Sequence, residues 1–447
     1  MASPRFLSHP LFLILTGAAL LMVPPLLNGF PFIFPDSTDY LTLAPQIFRL
    51  PFYGLFITFF HWNHFIWGPV IGQCLIASHL LWLMVSLTSG KPAARHFLPF
   101  MLVMTLFSTL PLFTGFIMAD IFTPILFLTF YILCFYHRRL SGLLRCYLFL
   151  LACIAIVTQI ANLSLALGLF ILLMVLLTVS HAPRRVRLKS VALTAIPILL
   201  SITAVLLFNG LLFGFVSLAP AGQSFFMANM IEYGPARHYL ETSCPTKHYR
   251  LCAYRPLPKK ANDLMWADGS VFWRLGGFVG MRQEAAEIVK GTLETYPNEV
   301  RAMIVDNFFA GLKTHQPGAE FLPQFAIPAL RTLVRDKFSM GDLDALLNSA
   351  EIEDRIPHDA LIAIDNVTTP TCFVLLVLIA LATIRSRPPA FTMATATILF
   401  ILGNVLLCTA LSGVYDRYQT RVTWLMPMVL GLLLIAHLKK NRAREID

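Results

Sequence analysis

The sequence predicts an all-α integral membrane protein with about ten transmembrane helices and a mainly helical extracytoplasmic insert. The 447-residue chain is 57% hydrophobic and only 13% charged, whereas soluble domains carry about 25% charged residues. Its mean hydropathy of +0.70 leaves too little polar surface to cover a soluble particle. These values exclude a soluble enzyme, a disordered chain and a nucleic-acid-binding domain, and they place most of the chain in a bilayer.

The distribution of charge supports the same class. The net charge is +10, but segment 214–368 holds 15 Lys/Arg and 18 Asp/Glu, while the rest of the chain holds 19 and 6. The positive excess therefore belongs to the apolar part, where lysine and arginine orient membrane spans.

Apolar runs of about 17–25 residues are typical of membrane-spanning helices. The sequence has ten such runs, several of them short: Leu11–Phe30, Phe65–Leu87, Phe97–Phe113, Ile121–Tyr136, Cys146–Gln159, Leu163–Val179, Val191–Leu212, Thr371–Ile384, Ala390–Leu411 and Val422–His437. Pro24–Pro25 interrupts the first run and no signal-peptidase-like site follows, so we expect this run to be retained. Phe52–His61 is too short to span, and we expect it to lie in the interface or to re-enter the membrane.

The basic residues between the runs predict the orientation. With the N-terminus inside, the inside segments hold 16 Lys/Arg, and the short outside segments hold three, namely Arg49, Arg417 and Arg421. This distribution satisfies the positive-inside rule. Merging the fifth and sixth runs into one bent helix would place the last basic clusters outside, so we expect two separate spans. Both termini are then cytoplasmic.

The predicted organisation has three parts. Residues 1–213 form a transmembrane module of about seven spans, with a first outer loop at 31–64. Residues 214–368 form the extracytoplasmic insert, which is long enough to be a small domain. Residues 369–447 form a module of about three spans and a basic cytoplasmic tail. The insert contains three expected helices: Arg282–Thr295, Asn298–Lys313 and Asp342–Glu353.

Two cysteines lie in the insert, Cys244 and Cys252, and an extracytoplasmic compartment permits disulfides. We expect these two residues to form a bridge, with two free thiols as the alternative. No second Cys or His pair completes a zinc site, so no metal ligand set is predicted.

Acidic residues are rare outside the insert and the C-terminal tail. There are four, Asp36, Asp39, Asp120 and Asp416, and all lie at predicted outer ends of spans or in outer loops. Carboxylates close to a bilayer are costly and usually functional. Their one-sided placement predicts that an active site lies at the outer face.

The first outer loop carries acidic, aromatic and basic residues at a characteristic spacing. Asp36 follows the first span, Tyr40 stands four positions later, and the stretch Arg49-x-Pro51-x-Tyr53 comes next. This opening resembles that of the GT-C superfamily of membrane glycosyltransferases, which use lipid-phosphate-linked sugars. The resemblance implies that Asp36 is the catalytic base or orients the acceptor. The family pattern often has Asp-Glu here, whereas this chain has Asp36-Ser37. If the site uses a second carboxylate, Asp39 is therefore the residue that supplies it. Capping of a helix by Asp36 is the alternative.

Two further outer elements complete the expected site. Asp120 precedes the fourth span, where proteins of this superfamily often carry a second acidic residue; an N-cap is the alternative. Arg417-Tyr418 enters the last span, and Arg421 stands four residues after Arg417, so one helical face presents both guanidinium groups. Guanidinium groups match phosphate oxygens. We expect Arg417 and Arg421 to bind a lipid phosphate, with Arg49 as a weaker candidate and interfacial snorkelling as the alternative.

Other polar residues are placed in the expected site. Tyr40, Tyr53 and Tyr418 are candidate substrate contacts through the resemblance. Gln159 and Asn162 lie at the outer end between the fifth and sixth spans, where they are candidates to hydrogen-bond a sugar. Hydrogen bonding between helices is the alternative for this pair.

The resemblance implies an inverting glycosyl transfer at the extracytoplasmic face, in which Asp36 acts as general base. The expected partners are a polyprenyl-phosphate sugar donor, a lipid, glycan or protein acceptor, and membrane lipids, with no nucleic acid. No cofactor is required, although a divalent cation is compatible with the chemistry. The resemblance favours a bacterial inner membrane, and an endoplasmic-reticulum location has the same topology. The alternatives are a multi-pass transporter, another outer-face lipid- or glycan-processing enzyme, and a non-enzymatic subunit of a glycan pathway.

Overall fold

The chain is helical because a lipid environment requires backbone groups to be hydrogen-bonded within the segment, as a helix does. The computed structural model describes residues 9–90, 94–318, 321 and 327–444. These residues contain no strand, only the isolated β-bridges Phe32–Phe116 and Gln46–Arg49.

Helices follow one another closely in both membrane modules. The first module comprises α1 Pro10–Asn28, α2 Pro35–Thr42, α3 Phe52–His61, α4 Gly68–Ser89, α5 Ala94–Leu106, α6 Leu110–Gly115, α7 Phe122–Phe135, α8 Gly142–Val157, α9 Ile160–Val179 and α10 Arg184–Phe213. The last part comprises α20 His358–Thr383, α21 Pro389–Leu411, α22 Asp416–Thr423 and α23 Leu425–Arg444.

Shorter helices make up the insert. They are α11 Gly222–Tyr233, α12 Pro235–Lys247, α13 Ala261–Met265, α14 Val271–Arg274, α15 Gly277–Gly280, α16 Arg282–Thr295, α17 Pro297–Lys313, α18 Ile327–Lys337 and α19 Met340–Leu347.

Several helices are long and apolar enough to cross a membrane, so the protein is a multi-pass membrane protein. In the described part of the chain there are seven: α1, α4, α9, α10, α20, α21 and the continuous stretch Asp416–Lys439 that joins α22 to α23. The apolar helices α5, α7 and α8 are shorter. They coincide with the third, fourth and fifth expected spans, and a total of about ten stays a prediction.

The third expected span is not one continuous helix. The structure ends α5 at Leu106 and starts α6 at Leu110. Pro111 stands in the first turn of α6, where a residue without a backbone N–H is tolerated, so the proline favours the start of a new helix here. The Ser108 hydroxyl accepts a hydrogen bond from the Leu110 N–H, which satisfies a donor freed by this break.

The core of the membrane part surrounds α7. All of its residues from Phe122 to Cys134 are buried, and α7 packs against α4, α8, α9 and α10. α8 and α9 are separate helices that meet at Thr158–Gln159. Because α7 is enclosed on all sides, the turn that precedes it holds Asp120 at the centre of the bundle's predicted outer end.

The insert divides into two parts by its packing. Residues between Ala221 and Met303 form their own apolar cluster, which Ile47 of the first outer loop joins. In contrast, Leu330, Val334 and Leu346 of α18 and α19 belong to the main membrane core. The second part, which contains α18 and α19, therefore packs against the membrane core and over the first outer loop.

Candidate functional site

Segments far apart in sequence meet at the predicted outer end of the bundle. The loop after α1 and the loop before α7 are joined by two backbone hydrogen bonds, from the Phe32 N–H to the Gly115 carbonyl and from the Ile117 N–H to the Phe32 carbonyl. The Ser37 hydroxyl also donates to the Ile117 carbonyl, at 2.9 Å. These bonds fix the start of α2, which carries Asp36, beside the turn that carries Asp120.

Asp36 is paired with two arginines. Arg49 Nη2 lies 2.7 Å from Asp36 Oδ1, and Arg417 Nη1 lies 3.2 Å from Oδ2. The start of α2 does not use this carboxylate as a cap, because the Ser37 hydroxyl accepts the Phe34 N–H instead. The structure therefore gives Asp36 an electrostatic role rather than a capping one.

The two carboxylates of α2 have different electrostatic environments. Burial raises the pKa of Asp36, but the guanidinium groups of Arg49 and Arg417 outweigh it, so the pKa lies below its ordinary value. Burial also raises the pKa of Asp39, and Arg49 alone, opposed by the charge of Asp36, does not reverse this. Asp36 is therefore the more firmly ionised carboxylate of the two.

A second ion pair lies deeper in the bundle. Arg421 Nη1 is 3.1 Å from Asp120 Oδ1, and both side chains are 1% exposed. The same guanidinium donates to Gln159 Oε1 at 2.8 Å and to Asn404 Oδ1 at 2.9 Å. Its contact with Cys408 Sγ is 3.3 Å. Arg421 is thus enclosed by protein partners at both terminal nitrogens, whereas its buried Nε has no hydrogen-bond partner among the described residues.

One side of Asp120 is not satisfied in this way. Its Oδ2 is buried and has no hydrogen-bond partner among the described residues. A buried carboxylate oxygen is normally bonded, so this atom sets Asp120 apart from Asp36, whose two oxygens are both paired.

Both arginines belong to α22, as the four-residue spacing predicts. The ring of Tyr418 lies between them, with its centroid 5.3 Å from each guanidinium carbon. Arg417 also lies over the ring of Phe34, at 4.3 Å. Arg417 is 17% exposed, whereas Arg421 is 1% exposed. Arg417 is therefore the arginine of α22 that a ligand can reach.

Hydrogen bonds hold α22 from three directions. The Thr109 hydroxyl donates to the Thr420 carbonyl at 2.6 Å, and the Asn404 amide donates to the Tyr418 carbonyl at 2.6 Å. The Gln316 N–H of the insert donates to Asp416 Oδ1 at 2.6 Å. These hydrogen bonds to α22 were not predicted from the sequence. A signal was present for Asn404, because a polar residue within an apolar span usually has a specific partner.

The candidate tyrosines of the first outer loop lie inside this region. Tyr53 is fully buried, and its hydroxyl donates to Gln73 Oε1 at 2.8 Å. Tyr40 packs edge-on against Tyr53 with ring centroids 4.6 Å apart, and Arg49 lies 5.0 Å from the Tyr40 ring. Tyr53 therefore supports Tyr40, and Tyr40 supports Arg49.

The polar pair at the α8–α9 junction has protein partners. Asn162 is fully buried; it accepts from the Thr123 hydroxyl at 2.8 Å and donates to the Ala155 carbonyl at 2.8 Å. Gln159 is partly exposed and accepts from Arg421. Asn162 thus joins helices, while Gln159 stands at the edge of the Asp120–Arg421 pair.

The predicted cysteines are not part of this site. Cys244 and Cys252 form a disulfide within the apolar cluster of the insert. In the described ranges, no group of three or more His, Cys, Asp or Glu residues is arranged to hold a metal ion. The site residues present instead an ionised carboxylate and a cation that can bind a phosphate.

Comparisons of the chain with known protein families, with curated proteins and with solved structures found no match. The arrangement of its own residues is therefore the basis for any functional assignment.

Proposed function

We propose that the protein is a membrane glycosyltransferase that moves a sugar from a polyprenyl-phosphate donor to an acceptor at the extracytoplasmic face. One observation carries the proposal. Asp36 and Arg417 are 381 residues apart in the chain, yet they form an ion pair at the predicted outer end of the bundle. A carboxylate for an acceptor hydroxyl and a guanidinium for a phosphate are the two groups that this reaction needs.

Asp36 is the proposed general base. Its lowered pKa keeps it ionised at neutral pH, so it can accept the proton of an acceptor hydroxyl. As that oxygen forms a bond to the anomeric carbon, the bond to the phosphate oxygen breaks, and the lipid phosphate leaves with the electron pair. Attack opposite the leaving group inverts the anomeric centre.

Arg417 is the proposed phosphate ligand, and it also controls access to the base. In the structure its guanidinium occupies Asp36 Oδ2. A donor phosphate competes for the same guanidinium, and its binding would release Oδ2 toward the acceptor hydroxyl. Arg49 would stay on Oδ1 and hold the carboxylate in place. The base would thus become available when the donor is bound.

Arg421 takes a different role from the one its spacing indicates. It is enclosed, and its guanidinium is bonded to Asp120, Gln159 and Asn404. We therefore assign it to positioning: it holds α22 and Asp120 in place, while Arg417 contacts the phosphate. Asp120 is paired with Arg421 and is equally enclosed, at 1% exposed, so we assign it to positioning as well.

A transfer assay with the purified protein in bilayers tests the base. Labelled polyprenyl-phosphate monosaccharides are supplied with membrane extract as acceptor. Asp36→Asn should lower transfer by about 10²–10⁴-fold, while binding of the lipid phosphate, followed as thermal stabilisation by polyprenyl phosphate, persists. Asp336→Asn is the matched control because that carboxylate is exposed on α18. Unchanged transfer by Asp36→Asn would show that Asp36 is not the base.

A further inference from the structure

The first part of the insert carries a bare aromatic surface. Phe278 is the centre of a ring cluster, with Phe272 at 4.8 Å, Trp266 at 5.8 Å and Trp273 at 5.9 Å between centroids. Phe272 and Phe278 are buried, but Trp266 is 42% exposed, Trp273 is 48% exposed and Val279 is 61% exposed. We call these three exposed residues the aromatic patch.

The aromatic patch is linked to the membrane part through the first outer loop. Phe48 contacts Trp266 and Phe278, with centroids 5.4 Å and 4.7 Å away. Four residues later, Phe52 at the start of α3 contacts Phe208 of α10, at 5.8 Å. The patch therefore lies close to the end of α10 that leads into the insert.

That end of α10 is itself lined with apolar side chains. α10 is one of the helices long and apolar enough to span the membrane. Leu211, Leu212 and Val216 at and just beyond its last turn are all exposed. The Arg282 guanidinium of α16 lies 4.2 Å over the ring of Phe215, the second residue after α10, which holds α16 close to this end of the helix. Apolar side chains are thus exposed both at this end of α10 and on the nearby aromatic patch.

We propose that the insert docks on the outer leaflet of the membrane through Trp266, Trp273 and Val279. Tryptophan prefers the membrane interface, where its ring is buried among acyl chains and its N–H meets the headgroups. Exposed apolar patches of this kind mark contact surfaces. Residues 259–279 hold three basic and two acidic side chains, so nearly balanced charge favours apolar insertion over recognition of an oppositely charged protein.

A lipid-quenching experiment tests this docking. Val279→Cys and Lys290→Cys are made separately in a background with Cys146→Ser and Cys153→Ser, because these are the free cysteines that are not buried. Each variant is labelled with bimane and reconstituted in phosphatidylcholine nanodiscs that contain headgroup-proximal doxyl lipid. Lys290 is the control because it is exposed on α16 beside Glu294. Bimane at V279C should lose at least half its fluorescence to doxyl lipid and be protected from aqueous iodide. Bimane at K290C should show the reverse.

Two results would overturn the proposal. Equal behaviour of V279C and K290C, with iodide quenching both, would show that the patch faces water. Loss of the V279C lipid quenching at high salt would show that charge, and not apolar insertion, holds the insert at the surface. The measurement does not depend on glycosyl transfer, so it stands apart from the proposed function.

Discussion

At the residue scale, the buried pair Asp120–Arg421 shows how a charge can be kept inside a membrane protein. The Arg421 guanidinium donates to carboxylate, amide and thiol acceptors. A buried pair is weak evidence for stability as such, but removing one partner leaves an uncompensated charge. The pair therefore acts as a constraint on the arrangement of α22 against α7 and α21.

Arg421→Ala should destabilise the protein by about 3–5 kcal/mol, because Asp120 would stay buried without its cation. The midpoint of thermal unfolding in detergent reports this loss. Arg335→Ala is the matched control, since Arg335 is exposed on α18, and its effect should be within about 0.5 kcal/mol. Equal midpoints for the two variants would contradict the role assigned to Arg421.

Glu351 provides a second test at this scale. It lies in the segment between α19 and α20, where it accepts the Ile33 N–H at 3.1 Å. Burial raises its pKa well above the ordinary value, which the hydrogen bond from Ile33 only partly offsets. A raised folded-state pKa contributes stability that is present below the unfolded pKa and is lost as pH rises through the folded pKa.

Glu351→Gln should therefore become progressively more stable relative to the parent as pH rises above the ordinary carboxyl range. The glutamine keeps an acceptor for the Ile33 N–H without a charge to bury. Unfolding midpoints of both proteins across acidic to alkaline pH measure the difference. A difference that stays constant with pH would show that Glu351 is solvated and not buried.

At the scale of elements, sequence patterns predicted helices well where local interactions determine the helix bounds. The expected helix Arg282–Thr295 is confirmed with the same bounds, because amphipathic periodicity and Tyr296–Pro297 define it locally. The expected helix Asp342–Glu353 was too long, since the structure ends α19 at Leu347. Beyond it, the Ala350 N–H bonds to the Asn28 carbonyl of α1, a tertiary contact that no local pattern contains.

In the candidate site, too, local patterns were predictable from the sequence and tertiary contacts were not. The one-sided placement of carboxylates predicts its outer location, and the four-residue spacing predicts a shared helical face for Arg417 and Arg421. Which arginine meets which carboxylate could not be predicted, because Asp36 and Arg417 approach only after the bundle has assembled. The exclusion of Arg421 from solvent depends on Asn404 and Gln159, which come from other helices.

The disulfide of the insert gives a prediction for one element. Cys244 and Cys252 are eight residues apart and join α12 to the turn that follows it. A native disulfide in a small unit contributes about 2–5 kcal/mol. Cys244→Ser with Cys252→Ser should therefore increase protease cleavage between residues 235 and 260 several-fold and leave cleavage of the membrane modules unchanged. Unaltered cleavage of the insert would contradict a local role for the bridge.

At the scale of the whole molecule, the distribution of basic residues predicts that the insert and both termini lie on opposite sides of the membrane. Lys290→Cys should react in intact cells with a membrane-impermeant maleimide, because it lies in the insert. His437→Cys, near the end of α23, should react only after the membrane is permeabilised. Labelling of both residues from the outside would mean that an even number of spans separates them, and it would contradict the predicted orientation.

The proposed site depends on this whole arrangement. The insert tethers the start of α22 through Gln316 and Asp416, and its second part covers the first outer loop, where Lys337 Nζ donates to the Leu41 carbonyl at 3.0 Å. A donor lipid would approach from the bilayer, and an acceptor from outside. The two substrates would then meet where Asp36 and Arg417 are paired.

The most direct test of the central claim is a cryo-electron microscopy structure of the protein in nanodiscs with polyprenyl phosphate bound. The account predicts that the phosphate lies within hydrogen-bond distance of the Arg417 guanidinium, and that the 3.2 Å contact between Arg417 and Asp36 has opened. Arg49 should remain on Asp36. A phosphate bound elsewhere, with the Arg417–Asp36 pair still closed, would contradict the account.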